Sequence, residues 1–173
     1  MTTPDSLRLR PLKPSDEAEF RVGHEAMRAD DFSFGLGLED AGSWQQYLED
    51  LNDCRLGRNL PPGRVPATLL VADVDGSIVG RTSIRHELNE SLEQHGGHIG
   101  YGVLPEHRRH GYATEVLRQS LVVARSLGVG QALVTCDDDN IGSITVIERC
   151  GGKLENLVPR TPPQPAIRRY WID

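Results

Sequence analysis

Several features are scarce or missing in this chain, and each absence excludes a class of protein. It has three cysteines, Cys54, Cys136 and Cys150, widely spaced and without a C-x-x-C pair. A disulfide framework and a cysteine zinc site are thereby excluded, and a reducing cytoplasm is the expected compartment. No apolar run approaches the ~20 residues of a membrane-spanning helix. The opening MTTPDSLRLR has no apolar stretch of the kind a secretory leader carries. Basic charge is short as well: 19 Lys and Arg stand against 25 Asp and Glu, a net charge of −6. Non-specific nucleic-acid binding runs on phosphate neutralisation by a basic face, so that class is disfavoured. There is no G-x-G-x-x-G and no Gly-Lys-Ser/Thr triplet, which removes the Rossmann fingerprint and the Walker loop.

What is present suits one domain spanning residues 1–173 that handles small ligands. The chain has 173 residues, 38% apolar and 25% charged, enough to enclose a single core. Leu7, Leu9 and Leu12 alternate with arginines as a half-exposed strand, and Pro14-Ser15-Asp16 introduces a helix over 17–29. Residues 30–42 form an apolar but irregular loop suited to lying over a cleft. A second helix begins at Ser43-Trp44 and is broken by Pro61-Pro62-Gly63. Strands follow over 68–72 and 77–85 around an Asp75-Gly76 hairpin turn. Residues 88–97 read as a turn, 98–104 as a strand, 113–127 as an amphipathic helix ended by Gly128, and 131–136 as a buried strand. A short helix over 141–149 and strands over 152–158 and 167–172 complete the order. Strand pairs ahead of strand–helix–strand units predict an α/β (α+β) fold, a mixed sheet covered by helices.

The chemistry concentrates where the strand ending at Leu104-Pro105 meets the helix opening at Gly111-Tyr112-Ala113. The first N–H groups of a helix lack internal partners and carry about half a positive charge. Small residues there let a phosphate approach, and Arg108, Arg109 and His110 add cationic side chains. The pattern reads as an anion cradle, the alternative being a solvated turn that caps an ordinary helix.

Arg108-Arg109-His110-Gly111-Tyr112-Ala113 resembles the acyl-CoA signature Gln/Arg-x-x-Gly-x-Gly/Ala of the GNAT (Gcn5-related N-acetyltransferase) superfamily. Val103-Leu104-Pro105 is similar to the V-x-P that precedes it in many members. Asn140-Ile141-Gly142-Ser143, leading to Gly151, fits a second, weaker family motif. The segments with Trp44, Tyr47-Leu48 and Arg85-His86 resemble a poorly characterised bacterial branch. The resemblance implies a splayed sheet of about 6–7 strands and acetyl-CoA as cosubstrate, without a metal. It implies that amides of Arg109 to Thr114 hold the CoA pyrophosphate and that the backbone of Val103 and Leu104 pairs with the pantetheine. Asn140 would hydrogen-bond the pantetheine arm, with Ser143 facing the same channel. Many members carry a tyrosine seven residues after the motif asparagine to protonate the leaving thiolate. Here that position is Ile147, so Ser143, a water or no dedicated acid remain as alternatives.

Transfer to an amine needs a group to remove its proton. Glu87, after the 77–85 strand, and His98, opening the next, are the expected candidates, with His86 able to share a proton or bind substrate. Asp137, Asp138 and Asp139 either attract a cationic amine or form a solvated turn. His95-x-x-His98 and His107-x-x-His110 do not share a helix face and lack further ligands, so no metal is expected. Cys136 has no paired histidine and reads as a structural thiol. The leading expectation is an N-acyltransferase that moves acetyl to a small-molecule or peptide amine by direct attack. The rivals are a non-catalytic acyl-CoA sensor and a generic anion-binding α/β domain. No nucleic acid or membrane partner is expected, and the resemblance admits a homodimer, since the family is often dimeric.

Overall fold

The computed structural model describes residues 6–173; the leader reading of the first residues lies largely outside them. Strand β1 (Leu7–Arg10) precedes a short 3-10 turn, helix α1 (Glu17–Arg28) and helix α2 (Trp44–Arg55). The hairpin β2 (Ala67–Val74) and β3 (Ser77–Arg85), the short helix α3 (Glu90–Gln94) and β4 (Ile99–Val103) follow. Helix α4 (Tyr112–Ser126), β5 (Ala132–Asp137), α5 (Ile141–Arg149), β6 (Lys153–Val158) and β7 (Ile167–Ile172) complete the order.

The strands form two antiparallel sheets, ordered β1-β2-β3-β4 and β5-β7-β6. They meet near the start of β4, where Gly97 and Val134 form a single bridge. There the His98 N–H donates to the Leu133 carbonyl at 2.7 Å. No ladder joins β4 to β5 beyond that point among the described residues. The sheet is therefore splayed, as the resemblance implies.

Local chemistry explains most boundaries. Asp75 and Gly76 both take positive φ (53° and 90°), the two-residue turn that matches strand twist. Ser43 caps α2 by accepting from the Gln46 N–H at 3.1 Å. Gly128, at φ 92°, turns the chain out of α4. The segment expected to be only a turn, 88–97, contains α3, because the Asn89 side chain accepts from the Leu92 N–H at 2.9 Å and nucleates one helical turn. The glycine pair Gly96-Gly97 masks that cap in the sequence.

Both faces of the sheet are covered. On one, Leu117, Leu121 and Ile147 of α4 and α5 pack on Ile84, Ile99 and Val134. On the other, Phe20, Met27, Trp44 and Tyr47 of α1 and α2 pack on Val71 and Ile78. Removing such side chains from water contributes roughly 1.5–3 kcal/mol each. Gln119 of α4 bonds the Leu7 carbonyl (2.9 Å) and the Leu9 N–H (3.1 Å), giving the outer edge of β1 a partner.

Candidate active site

Alternation along β4 decides which backbone groups face the gap. Residues 98, 100, 102 and 104 turn toward β3: Arg85 N–H donates to the His98 carbonyl at 2.7 Å and Leu104 N–H to the Val79 carbonyl at 2.9 Å. Tyr101 and Val103 therefore direct their backbone groups away from β3. The Val103 carbonyl accepts from Arg108 Nε at 3.1 Å. Leu104, expected to share in the pairing, has its N–H on Val79 and its carbonyl on His107 N–H (2.9 Å). Tyr101 supplies the gap-facing edge that sequence reading assigned to Leu104, and strand alternation from Leu104 was the available signal.

At the far end of β4 the chain turns through residues 105–111 into α4. Gly111 is the N-cap, in the left-handed conformation (φ 81°), and no side chain caps the helix. α2, α3 and α5, in contrast, are capped by Ser43, Asn89 and Asn140. The N–H groups of Gly111, Ala113 and Thr114 make no hydrogen bond among the described residues, so the helix start offers open donors. Arg109 is held at φ 66°, a conformation uncommon outside glycine and costing on the order of 1 kcal/mol. Its side chain and that of His110 are exposed, and His110 stacks on Tyr112 with ring centroids 5.7 Å apart. Arg108 turns back instead, with Nη2 on Asp30 at 2.5 Å and near Met27 Sδ. It braces the end of α1 against β4 and contributes no free cation to the helix start.

Across the gap, Asn140 caps α5 through Oδ1, which accepts from the Ser143 N–H at 3.0 Å. The Ser143 hydroxyl lies 2.9 Å from the Tyr101 hydroxyl, bridging β4 and α5. Burial pushes the Tyr101 phenol well above its ordinary range, so it stays protonated. Ile147 is fully buried among the core side chains behind that pair.

The candidate bases differ in setting. His98 is buried, and its Nδ1 accepts from the Leu133 N–H at 2.9 Å. Burial, with Arg85 nearby, lowers its pKa and keeps it neutral. The neutral ring then carries its proton on Nε2, leaving no lone pair for a second one. Glu87 is exposed beyond β3. His86 Nε2 is 2.8 Å from Thr68 Oγ1, and burial lowers its pKa. Two of the three aspartates after β5 are paired: Asp137 with Arg160 at 2.6 Å and Asp138 with Arg168 at 2.5 Å. Burial raises the Cys136 thiol to about 11, so it is protonated at neutral pH and inert as a nucleophile.

Arg81 was not anticipated. It is 4% exposed, in the middle of β3, with no carboxylate partner among the described residues. Its guanidinium donates to the carbonyls of Phe34 (2.9 Å), Ser33 (2.5 Å) and Gly100 (3.0 Å). It also lies 4.3 Å from the Phe32 ring centre. Burial lowers its pKa to about 9, and carbonyl dipoles with a ring face replace the missing counter-ion. Arg81 thereby ties the 30–42 loop to β4. A β-carbon on Gly102 would sit 2.8 Å from the Phe32 ring, so a side chain there would have to displace the ring. An arginine inside the strand SIVGRTSIR was the signal for this staple. Two cavities, of about 570 and 490 Å³, lie beneath the loop and share Leu36, Gly37, Asp40 and Arg64 as a common wall.

A splayed sheet with an uncapped helix start at the mouth of its gap is the arrangement that the acetyltransferase resemblance implies. Residues 6–153 match the family model described as an acetyltransferase (GNAT) domain, and the chain belongs to that family. An acetyltransferase from Agrobacterium tumefaciens strain C58 is similar at 25% identity, covering 95% of this chain and 90% of that one, with a TM-score of 0.61. YncA from Salmonella typhimurium, solved with acetyl-CoA, shares the fold at 13% identity, covering 96% and 93%, with a TM-score of 0.66. Spermidine N-acetyltransferase from Vibrio cholerae, solved with CoA and spermine, does so at 18% identity, covering 97% and 95%, with a TM-score of 0.66. No curated protein sequence matches the chain. Among the described residues no helix is long and apolar enough to cross a membrane.

Proposed function

We propose that the chain transfers an acetyl group from acetyl-CoA to a primary amine by direct attack, with no covalent enzyme intermediate. The observation that carries this reading is the uncapped start of α4 at the end of a strand whose outer edge has no ladder partner. The open amides of Gly111, Ala113 and Thr114 suit a pyrophosphate, and the outward backbone of Tyr101 and Val103 suits an extended amide-bearing arm. The Asn140 amide nitrogen, left over once Oδ1 caps α5, is the group offered to that arm. The fold likeness to YncA, solved with acetyl-CoA, supports the choice of cosubstrate.

In this reading the amine attacks the thioester carbon, the new C–N bond forms, and the C–S bond breaks. Holding both reactants in one gap supplies much of the acceleration. The Tyr101–Ser143 hydroxyl pair takes the place of the acid missing at Ile147. Because the Tyr101 phenol holds its proton, the pair stabilises the departing thiolate by hydrogen bonding and leaves final protonation to water. Glu87, exposed and without an ion pair or side-chain hydrogen bond among the described residues, is the base, drawing the amine proton through water. His98 joins the two sheets in this scheme. The full burial of Ile147 favours one alternative, a module that binds acyl-CoA without turning it over. A screen of amines that follows thiol release from acetyl-CoA separates them. Turnover supports the enzyme, stabilisation by acetyl-CoA without turnover supports the module, and no stabilisation contradicts both.

A further inference from the structure

The 570 Å³ cavity between α2 and the ends of β2 and β3 is lined by Tyr47, Arg64 and Arg85 with an apolar wall that includes Leu51, Leu60 and Leu69. Three features there lack a partner that the protein itself supplies. The Tyr47 hydroxyl is buried, the residue being 1% exposed, and makes no hydrogen bond. A buried donor left unmade costs about 1–3 kcal/mol. Arg85 lies over Gly100, where a β-carbon would be 3.3 Å from Nη1, and makes only long bonds to the Gly96 and Gly97 carbonyls (3.3 and 3.4 Å). No carboxylate pairs with it among the described residues, and burial together with Arg64 lowers its pKa. Arg64 is exposed and likewise has no ion pair among the described residues.

The acidic groups of the same wall do not neutralise these two cations. Asp53 is engaged by Arg58 and by the Asn59 amide (2.8 Å), whereas Asp50 accepts only from the neutral Gln46 amide (2.9 Å) and keeps its charge. Asp40, in the wall shared with the second cavity, has no side-chain partner among the described residues. A chain of net charge −6 thus holds two unpaired guanidinium groups and an orphaned phenol around one cavity, with Asp40 and Asp50 the carboxylates of its wall that no cation pairs with among the described residues.

We infer that this cavity is the acceptor subsite and that its substrate is an amine bearing a carboxylate, an apolar amino acid. The carboxylate lies between Arg64 and Arg85 and accepts from the Tyr47 hydroxyl, the side chain lies on the leucine wall, and the ammonium end lies toward Asp40. The inference rests on the acetyl-transfer reading. The neutral amine and acetyl-CoA give the N-acetyl amino acid and CoA thiol, the proton lost by nitrogen matching the one gained by sulfur.

The test compares leucine, methionine and phenylalanine with their amides, which lack the anionic group. Thiol release should favour at least one acid over its amide by ten- to hundred-fold in kcat/KM, as charge-assisted hydrogen bonds would give. Arg64→Gln, at an exposed loop position, and Tyr47→Phe should each shrink that ratio while thermal stabilisation by CoA stays unchanged. Calorimetry with each acid and amide, without coenzyme, reads the subsite even if no acetyl is transferred. Equal binding of acid and amide across the panel, or an unchanged ratio in Arg64→Gln, overturns the inference. Failure of acetyl-CoA to stabilise the protein overturns the transfer reading instead.

Discussion

Replacing Gly111 by aspartate places a carboxylate at the point where the coenzyme diphosphate is proposed to lie. Two effects on the fold nearly offset. Gly111 sits at φ 81°, and a non-glycine residue there costs about 1 kcal/mol, least for Asn and Asp. A carboxylate at a helix N-terminus returns about 0.3–1 kcal/mol through the helix dipole. The melting temperature should therefore move by only a few degrees. Binding should respond far more strongly. At about 4 Å and an effective dielectric of about 20, a carboxylate and one phosphate charge repel by roughly 4 kcal/mol. Solvent at this exposed turn weakens that figure, leaving an expected loss in CoA affinity on the order of 100-fold. Gly111→Asn carries the same backbone penalty without the charge and should bind CoA within several-fold of the parent. Calorimetric titration of both variants with CoA reads the difference. Equal affinity in the Asp and Asn variants would refute the cradle, because no anion would then lie beside that position.

Three further outcomes follow from the same structure. Glu87→Gln should lower the rate about 100-fold, within the range for a general base, without changing CoA affinity. An unchanged rate removes Glu87 as the base. His98, held below its ordinary pKa of 6.5, makes the fold less stable as pH drops through and below 6.5, because the unfolded chain takes up a proton that the folded one resists. His98→Asn should lower stability at neutral pH yet show a shallower decline on acidification, checked by denaturation at several pH values. Cys136→Ala should leave kcat unchanged and the rate insensitive to thiol alkylation, since the thiol is protonated up to about 11. A large loss of kcat would assign it a chemical role.

Elements with local signals were legible in the sequence. The Asp75-Gly76 turn, the apolar spacing of α4 with Gly128 after it, and the start of α5 at Ile141 appear where their chemistry places them. So does the glycine at the helix mouth, whose left-handed backbone (φ 81°) a residue without a side chain adopts most readily. What escaped depends on residues brought together across the sheet. Arg81 reaches Ser33 and Phe34 some 47 residues away, and Tyr101 meets Ser143 across a gap of 42. The cationic run Arg108-Arg109-His110 looks uniform as text, yet Asp30, 78 residues distant, withdraws Arg108. That Val103 and Leu104 do not both face the gap follows from strand alternation, but which of them does is decided by the β3–β4 register.

The account depends on an ordered coenzyme whose diphosphate meets the amides that begin α4 and whose thioester enters the gap between β4 and β5. A crystal structure of the protein grown with acetyl-CoA tests this most directly. The expected density places phosphate oxygens within hydrogen-bond reach of the Gly111, Ala113 and Thr114 nitrogens, and the pantetheine alongside Tyr101 and Val103. Diphosphate bound at another surface, or a gap closed by β4 pairing with β5, would contradict it.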